Sequence, residues 1–131
     1  MKQPIIINAL DTEHYQDCHI KNSIGVPLNE LENYANTKLK KDDYIIVYCA
    51  HYECPISREA YKLLTKLGFT NVQAYEGGVV EWKQKNYPLV GACALFERFF
   101  KNPPQPKAPE KGMRTVSAEE LKSIMHKYNM L

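Results

Sequence analysis

Two short β-branched runs, Ile5-Ile6-Ile7 and Ile45-Ile46-Val47, constrain this chain most, because both are flanked by segments of helical periodicity. Runs of this kind suit strands buried on both faces. The spacing predicts a strand over 4–8, a short helix opened by Asp11 or Thr12 and running through Gln16, and a strand over Ile24–Val26 that Pro27 stops. A helix over Leu28–Tyr34 follows, then a charged turn (Lys40–Asp43) and the strongest strand, Tyr44–Tyr48. From about Pro55 to Leu67, the residues Ile56, Ala60, Leu63, Leu64 and Leu67 fall on one helical face, and Gly68 fits the C-cap. A strand over 71–75, a turn at Glu76-Gly77-Gly78 and a helix from Val79 to Lys85 containing Trp82 complete the series, which Pro88 ends. Strand and helix in alternation predict an α/β chain with a mainly parallel sheet covered on both faces.

Beyond this alternation, Ala94-Leu95-Phe96 and Phe99-Phe100 predict a short helix that packs back on the domain. Residues 103–109 hold four prolines and read as an extended linker. Ser117 and Glu120 form a capping box for a last helix, whose stripe of Leu121, Ile124, Met125 and Tyr128 needs a docking surface on its own domain or on a second copy. With 44% apolar and 24% charged residues over 131 positions, the chain is neither disordered nor fibrous. No apolar run approaches a membrane span, and the N-terminus lacks the pattern of a signal peptide. The net charge of +2 gives no ground for nucleic-acid binding, although residues 101–131 carry six basic residues against three acidic ones.

Chemistry is expected at Cys49. It directly follows the strongest strand and precedes a helix, and ligands of open parallel sheets bind beyond the carboxyl ends of the strands. Loop amides and the positive end of the helix favour a thiolate there. The four cysteines (Cys18, Cys49, Cys54 and Cys93), with no export signal, point to a reduced cytoplasmic chain, in which Cys18 and Cys93 are bystanders. Zinc on Cys18, His19, Cys49, His51 and Cys54 ranks low, because the spacings do not form two short ligand pairs.

The motifs around Cys49 resemble those of the rhodanese, or sulfurtransferase, family. Tyr15-Gln16-Asp17-Cys18-His19-Ile20 resembles its aromatic-x-x-Gly-His-Ile segment, and Ile24-Gly25-Val26-Pro27-Leu28 the stretch after it. Ile45–Ala50 resembles the strand that leads to the catalytic cysteine. Leu67–Val72 and Tyr75-Glu76-Gly77-Gly78-Val79-Val80-Glu81-Trp82 resemble the later helix end and the Glu-Gly-Gly-x-x-x-Trp region. The resemblance implies a three-layer domain with a central parallel five-stranded sheet, plus a C-terminal helical extension. Together with the residue patterns beyond it, the resemblance divides the chain into a rhodanese-like domain over 1–91, a packing segment over 92–102, a Pro-rich linker over 103–114 and an amphipathic helix over 115–131.

The resemblance also implies that Cys49 takes the outer sulfur of a donor such as thiosulfate as a persulfide and passes it to cyanide or a thiol, with no cofactor. Ala50, His51, Tyr52, Glu53 and Pro55 would then line the donor. Partners would be a small sulfur donor (thiosulfate or a persulfide) and a thiol acceptor such as glutathione or a thioredoxin-like protein. Nucleic acid and membrane are not expected, and a homodimer through the last helix is an option. The chain departs from the family in having Asn8 and Leu10 where Asp-x-Arg is common, and Cys18 for the glycine before His19. Its loop reaches Ser57 about two residues late. A related phosphatase fold places a phosphate-binding arginine six residues after the nucleophile; here that position is Pro55, and Arg58 lies nine residues on, so sulfur transfer ranks first. Cys54, five residues after Cys49, is a candidate resolving thiol or a filler of the helix entry. The alternatives to an enzyme are a thiol-disulfide switch and a non-catalytic interaction module. His51 is a candidate hydrogen-bond donor, while His19, Tyr48 and Trp82 read as structural.

Overall fold

The computed structural model describes residues 2–131, so Met1, the first residue of the expected 1–91 unit, lies outside the described residues. The elements in chain order are β1 (Ile5–Asn8), α1 (Thr12–Asp17), β2 (His19–Ile20), β3 (Ile24–Gly25), α2 (Leu28–Lys38) and β4 (Ile45–Tyr48). They continue with α3 (Ile56–Lys66), β5 (Val72–Tyr75), α4 (Gly78–Gln84), β6 (Leu89–Val90), α5 (Glu97–Lys101) and α6 (Ala118–Lys127). Four strands form a parallel sheet in the order β3-β1-β4-β5. Within it, Tyr48 is level with Asn8 on one side and Tyr75 on the other. Three carboxyl ends therefore share one edge, and Cys49 leaves β4 there.

Alternation along the strands sends Ile7, Ile45 and Val47 to one face, where they pack with Leu31 and Ala35 of α2 and Ala60 and Leu64 of α3. Ile6, Ile46 and Tyr48 go to the other face, with Trp82 of α4 and Leu121 and Met125 of α6. The result is the expected three-layer α/β arrangement. α6 docks on its own domain: Leu121 and Met125 are fully buried, while Ile124 and Tyr128 are half-buried. Its start is fixed by the capping box, with Ser117 Oγ accepting from Glu120 N at 3.1 Å and Glu120 Oε1 accepting from Ser117 N at 2.9 Å.

The fifth strand is reduced to a single parallel bridge, Ala74 to Thr115, outside β5. Ala74 N donates to Arg114 O at 2.9 Å, and Val116 N donates to Ala74 O at 3.0 Å. Ser117 opens α6 immediately afterwards, which leaves no length for more pairing. α2 runs on to Lys38 because Ala35 continues the buried stripe of Leu31. α3 buries Ser57, Ala60, Tyr61 and Leu64, a face turned slightly from the expected one, and Leu63 and Leu67 are only half-buried. Gly68, at φ +97°, ends it as expected.

A second, two-stranded sheet pairs β2 with β6 antiparallel, His19 with Val90 and Ile20 with Leu89. Strands of two residues leave no period in the sequence, so this pairing was not foreseen. It corrects the reading of Cys18 and Cys93 as reduced bystanders: they are joined by a disulfide, with sulfurs 2.12 Å apart. The backbone around it is tied down, since Cys93 N donates to Asp17 O at 2.8 Å and the Asp17 carboxylate accepts from Ala94 N and Leu95 N, each at 3.0 Å. Among the described residues, no helix is long and apolar enough to cross a membrane.

Candidate active site

β4 ends at Tyr48, the buried Cys49 follows it, and a six-residue loop, Ala50 to Pro55, leads into α3. Cys54 N donates to His51 O at 3.0 Å, a turn that folds the loop back on itself. Pro55 occupies the N-cap of α3 and offers no side-chain acceptor. The first amides of a helix have no partner within it. Here one turns to sulfur: Ser57 N donates to Cys49 Sγ at 3.3 Å. Cys49 Sγ donates to Cys54 O at 3.5 Å, which sets the two cysteines side by side. Both cysteines are free.

The two sulfurs differ electrostatically. Burial pushes the Cys49 thiol up, and the hydrogen bond to Cys54 and its charge add to that, while Ser57 pulls the other way. Cys54 is held down, to about 6, by the hydrogen bond from Cys49 and then by the amides of Ala50 and Ile56, which together outweigh burial and the charge of Glu59. Burial thus acts against a thiolate on Cys49, and the Ser57 amide acts for it.

The opposite wall is built by the start of α4. Val79 N donates to Cys49 O at 3.1 Å, and Val80 N donates to Ala50 O at 2.9 Å. Gly78 has φ +66°, and a Cβ there would lie 2.4 Å from Cys49 O and 2.7 Å from Ala50 O. The Glu-Gly-Gly sequence thus holds the loop by close backbone approach. Glu76 is buried and accepts from Arg58 Nε at 2.5 Å, so the charge of Arg58 is taken up within the protein.

Of the remaining loop residues, Ala50 is buried, Glu53 and Pro55 are exposed, and His51 and Tyr52 are half-buried. His51 packs on Phe99 with ring centroids 4.5 Å apart. Its Nδ1 accepts from Glu53 N at 3.2 Å, which leaves the proton of the neutral ring on Nε2, and burial lowers its pKa. Tyr52 donates to Glu81 Oε2 at 2.8 Å. His51 and Tyr52 border a cleft of about 370 Å³, closed on the far side by Glu81, Lys85 and Pro103–Pro106. Sequence reasoning treated Phe99 and these prolines as packing and linker; their pairing with the loop is long-range and left no local signal.

The structure puts the other candidates in supporting positions. Tyr48 is fully buried, where its hydroxyl accepts from Ile20 N at 2.9 Å and meets Ser23 Oγ at 2.7 Å. His19 Nδ1 lies 2.8 Å from Tyr15 O, and Trp82 Nε1 donates to Pro88 O at 2.8 Å. Asn8, in place of the common aspartate, still supplies an acceptor, taking Leu10 N at 2.9 Å. Cys18 and His19 lie at β2, not on the Cys49 loop. Among the described residues, no group of three or more His, Cys, Asp or Glu side chains is placed to hold a metal ion.

The family model for the rhodanese-like domain matches residues 1–85. The chain is 29% identical over 91 residues to the adenylyltransferase and sulfurtransferase uba4 of Ogataea parapolymorpha, covering 67% of this chain and 23% of that protein. It is 29% identical over 79 residues to the thiosulfate sulfurtransferase GlpE of Coxiella burnetii, covering 60% of this chain and 71% of that protein. Among solved structures, the Rhodanese_3 like domain of the Alr3790 protein from Anabaena sp. aligns with TM-score 0.61 and 31% identity, over 66% of this chain and 97% of that one. The chain thus spans under a quarter of the first relative and most of the second.

Proposed function

Because the chain belongs to the rhodanese-like domain family, we propose that it is a sulfurtransferase that carries a sulfane sulfur as a persulfide on Cys49. The family and the sulfurtransferase relatives support the class of reaction. The observation that carries the proposal is the buried Cys49 thiol at the end of β4 with the Ser57 amide of α3 donating to its sulfur. Thiosulfate is the proposed donor. Cys49 Sγ, as its thiolate, attacks the outer sulfur, the S–S bond of thiosulfate breaks, and sulfite leaves with the bonding pair. The product is an anionic Cys49 persulfide, and the total charge is the same on both sides of the step. The Ser57 amide, which donates to Cys49 Sγ, lies beside the new negative charge, the role of a donor in an oxyanion-hole type of site. A thiol acceptor such as glutathione or a thioredoxin-like protein, or cyanide, then takes the outer sulfur from the side of the cleft next to His51 and Tyr52. This chemistry uses only groups of the chain itself.

The test is turnover of thiosulfate to cyanide and to a thiol, together with mass mapping of the sulfur. Cys49→Ser is expected to lose about 10^3-fold or more in turnover, the scale seen when a covalent nucleophile is removed, and to take up no sulfur at residue 49. Wild-type turnover in that variant would refute the assignment, and an absence of uptake by the unaltered chain would favour a binding module.

A further inference from the structure

Resting on the proposed persulfide, we propose that Cys54 is a resolving thiol: when no acceptor arrives, it displaces the terminal sulfur as hydrosulfide and closes a Cys49–Cys54 disulfide that only an external dithiol reopens. The geometry points to this in three ways. The loop turn from Cys54 N to His51 O brings residue 54 back over residue 49, whose Sγ donates to Cys54 O at 3.5 Å. Ser57 N, at the start of α3, donates to Cys49 Sγ, so that sulfur faces the helix entry to which Cys54 leads. A sulfur added to Cys49 therefore forms beside residue 54, whose carbonyl already takes the Cys49 thiol at 3.5 Å. Finally, Cys54 is a free, half-buried cysteine, whereas the other two cysteines are bonded to each other.

The step balances. In the persulfide state, Cys49 carries S–S⁻ and Cys54 carries S–H. Cys54 Sγ attacks Cys49 Sγ, the bond between Cys49 Sγ and the outer sulfur breaks, and the outer sulfur leaves with the electron pair and the Cys54 proton as HS⁻. The sulfane sulfur is the oxidant: it is reduced to sulfide while the two thiols are oxidised to the disulfide. A dithiol reductant, free or on a protein, restores both thiols by exchange. The loop would then act as a donor to thiol acceptors when they are present, and as a sulfide-releasing, dithiol-dependent reductase of sulfane sulfur when they are not.

The experiment treats the full chain with thiosulfate, and in parallel with inorganic polysulfide, in the absence of acceptor. Hydrosulfide release is measured, and the peptide holding both loop cysteines is weighed over time. In the wild type, one hydrosulfide per chain and a loss of two hydrogens on that peptide are expected, with a second round only after a dithiol is added. In Cys54→Ser and in Cys54→Ala, the sulfur is expected to stay on Cys49 and outlive the wild-type persulfide by about 100-fold, a modest gain for an intramolecular attack removed. If the Cys49 persulfide decays equally in wild type and both variants, or the sulfur moves onto Cys54, the resolving role is overturned and the sulfurtransferase reading stands. If neither wild type nor variants take up sulfur on Cys49 from either donor, both fall.

Discussion

The four cysteines form two pairs in opposite states, and the contrast separates two uses of sulfur. Cys18 and Cys93 are 75 residues apart and bonded; Cys49 and Cys54 are five residues apart and free. On a chain-entropy account, a cross-link over 75 residues stabilises by roughly 4 kcal/mol and one over five residues by about half of that. The long link ties β2 to the segment that carries α5, and so to Phe99 against His51. The short pair adds little to the fold. What it has instead is a backbone amide, that of Ser57, donating to Cys49 Sγ, and that favours reactivity. Separation in sequence determines which pair can hold the molecule together, and amide donors determine which can do chemistry.

The most severe way to break this comparison is to open the long link. The double variant Cys18→Ser/Cys93→Ser should lose roughly 4 kcal/mol against urea, while the folded fraction still loads sulfur on Cys49. A variant that unfolds with unchanged midpoint would show the disulfide to be idle. One that folds but no longer loads sulfur would show that the two pairs are not separate. A smaller loss is expected from Gly78→Ala, about 1–3 kcal/mol for a side chain forced to positive φ. Because the added Cβ meets Cys49 O and Ala50 O, sulfur loading should fall by more than the loss of stability explains. A variant with unaltered loading would detach α4 from the chemistry.

The smallest effect concerns charge. Cys54 has its pKa lowered to about 6, so it is charged above that value and neutral below it. The charged or titrating groups acting on it are Cys49, which holds it down, and Glu59, which raises it. Its alkylation by iodoacetamide should be level above about pH 6 and fall about tenfold per unit below, since only the thiolate reacts. In Cys49→Ala the midpoint should move up towards the ordinary thiol value. An unmoved midpoint would assign the shift to the amides alone.

Much of this was legible in the residues. Ile5-Ile6-Ile7 and Ile45-Ile46-Val47 announced buried strands because both faces of the sheet are covered, and Ser117 with Glu120 announced the last helix because a capping box is local. The position of Cys49 between a strand and a helix followed from the same periodicity. Three features did not. The β2–β6 pairing is too short to leave a pattern, so the Cys18–Cys93 bond that depends on it was missed. The fifth strand became a bridge because the cap of α6 follows it at once. The turn from Cys54 N to His51 O, which lays the Cys54 carbonyl against Cys49 Sγ, is a matter of loop conformation, and no spacing in the sequence encodes it.

The bridge at Ala74 has a consequence for how molecules of this protein meet one another. An outermost strand offers a row of unpaired N–H and C=O groups, a template for the strand of another chain. At Ala74 both groups are already spent, one on Arg114 O and the other on Val116 N. The stretch before α6 therefore works as a gatekeeper. While it stays zipped, the β5 side of the sheet cannot be extended at Ala74 by a neighbour. A chain from which it has peeled away carries a bare edge, along with the apolar face that Leu121 and Met125 normally cover, and that is the form in which aggregation would begin.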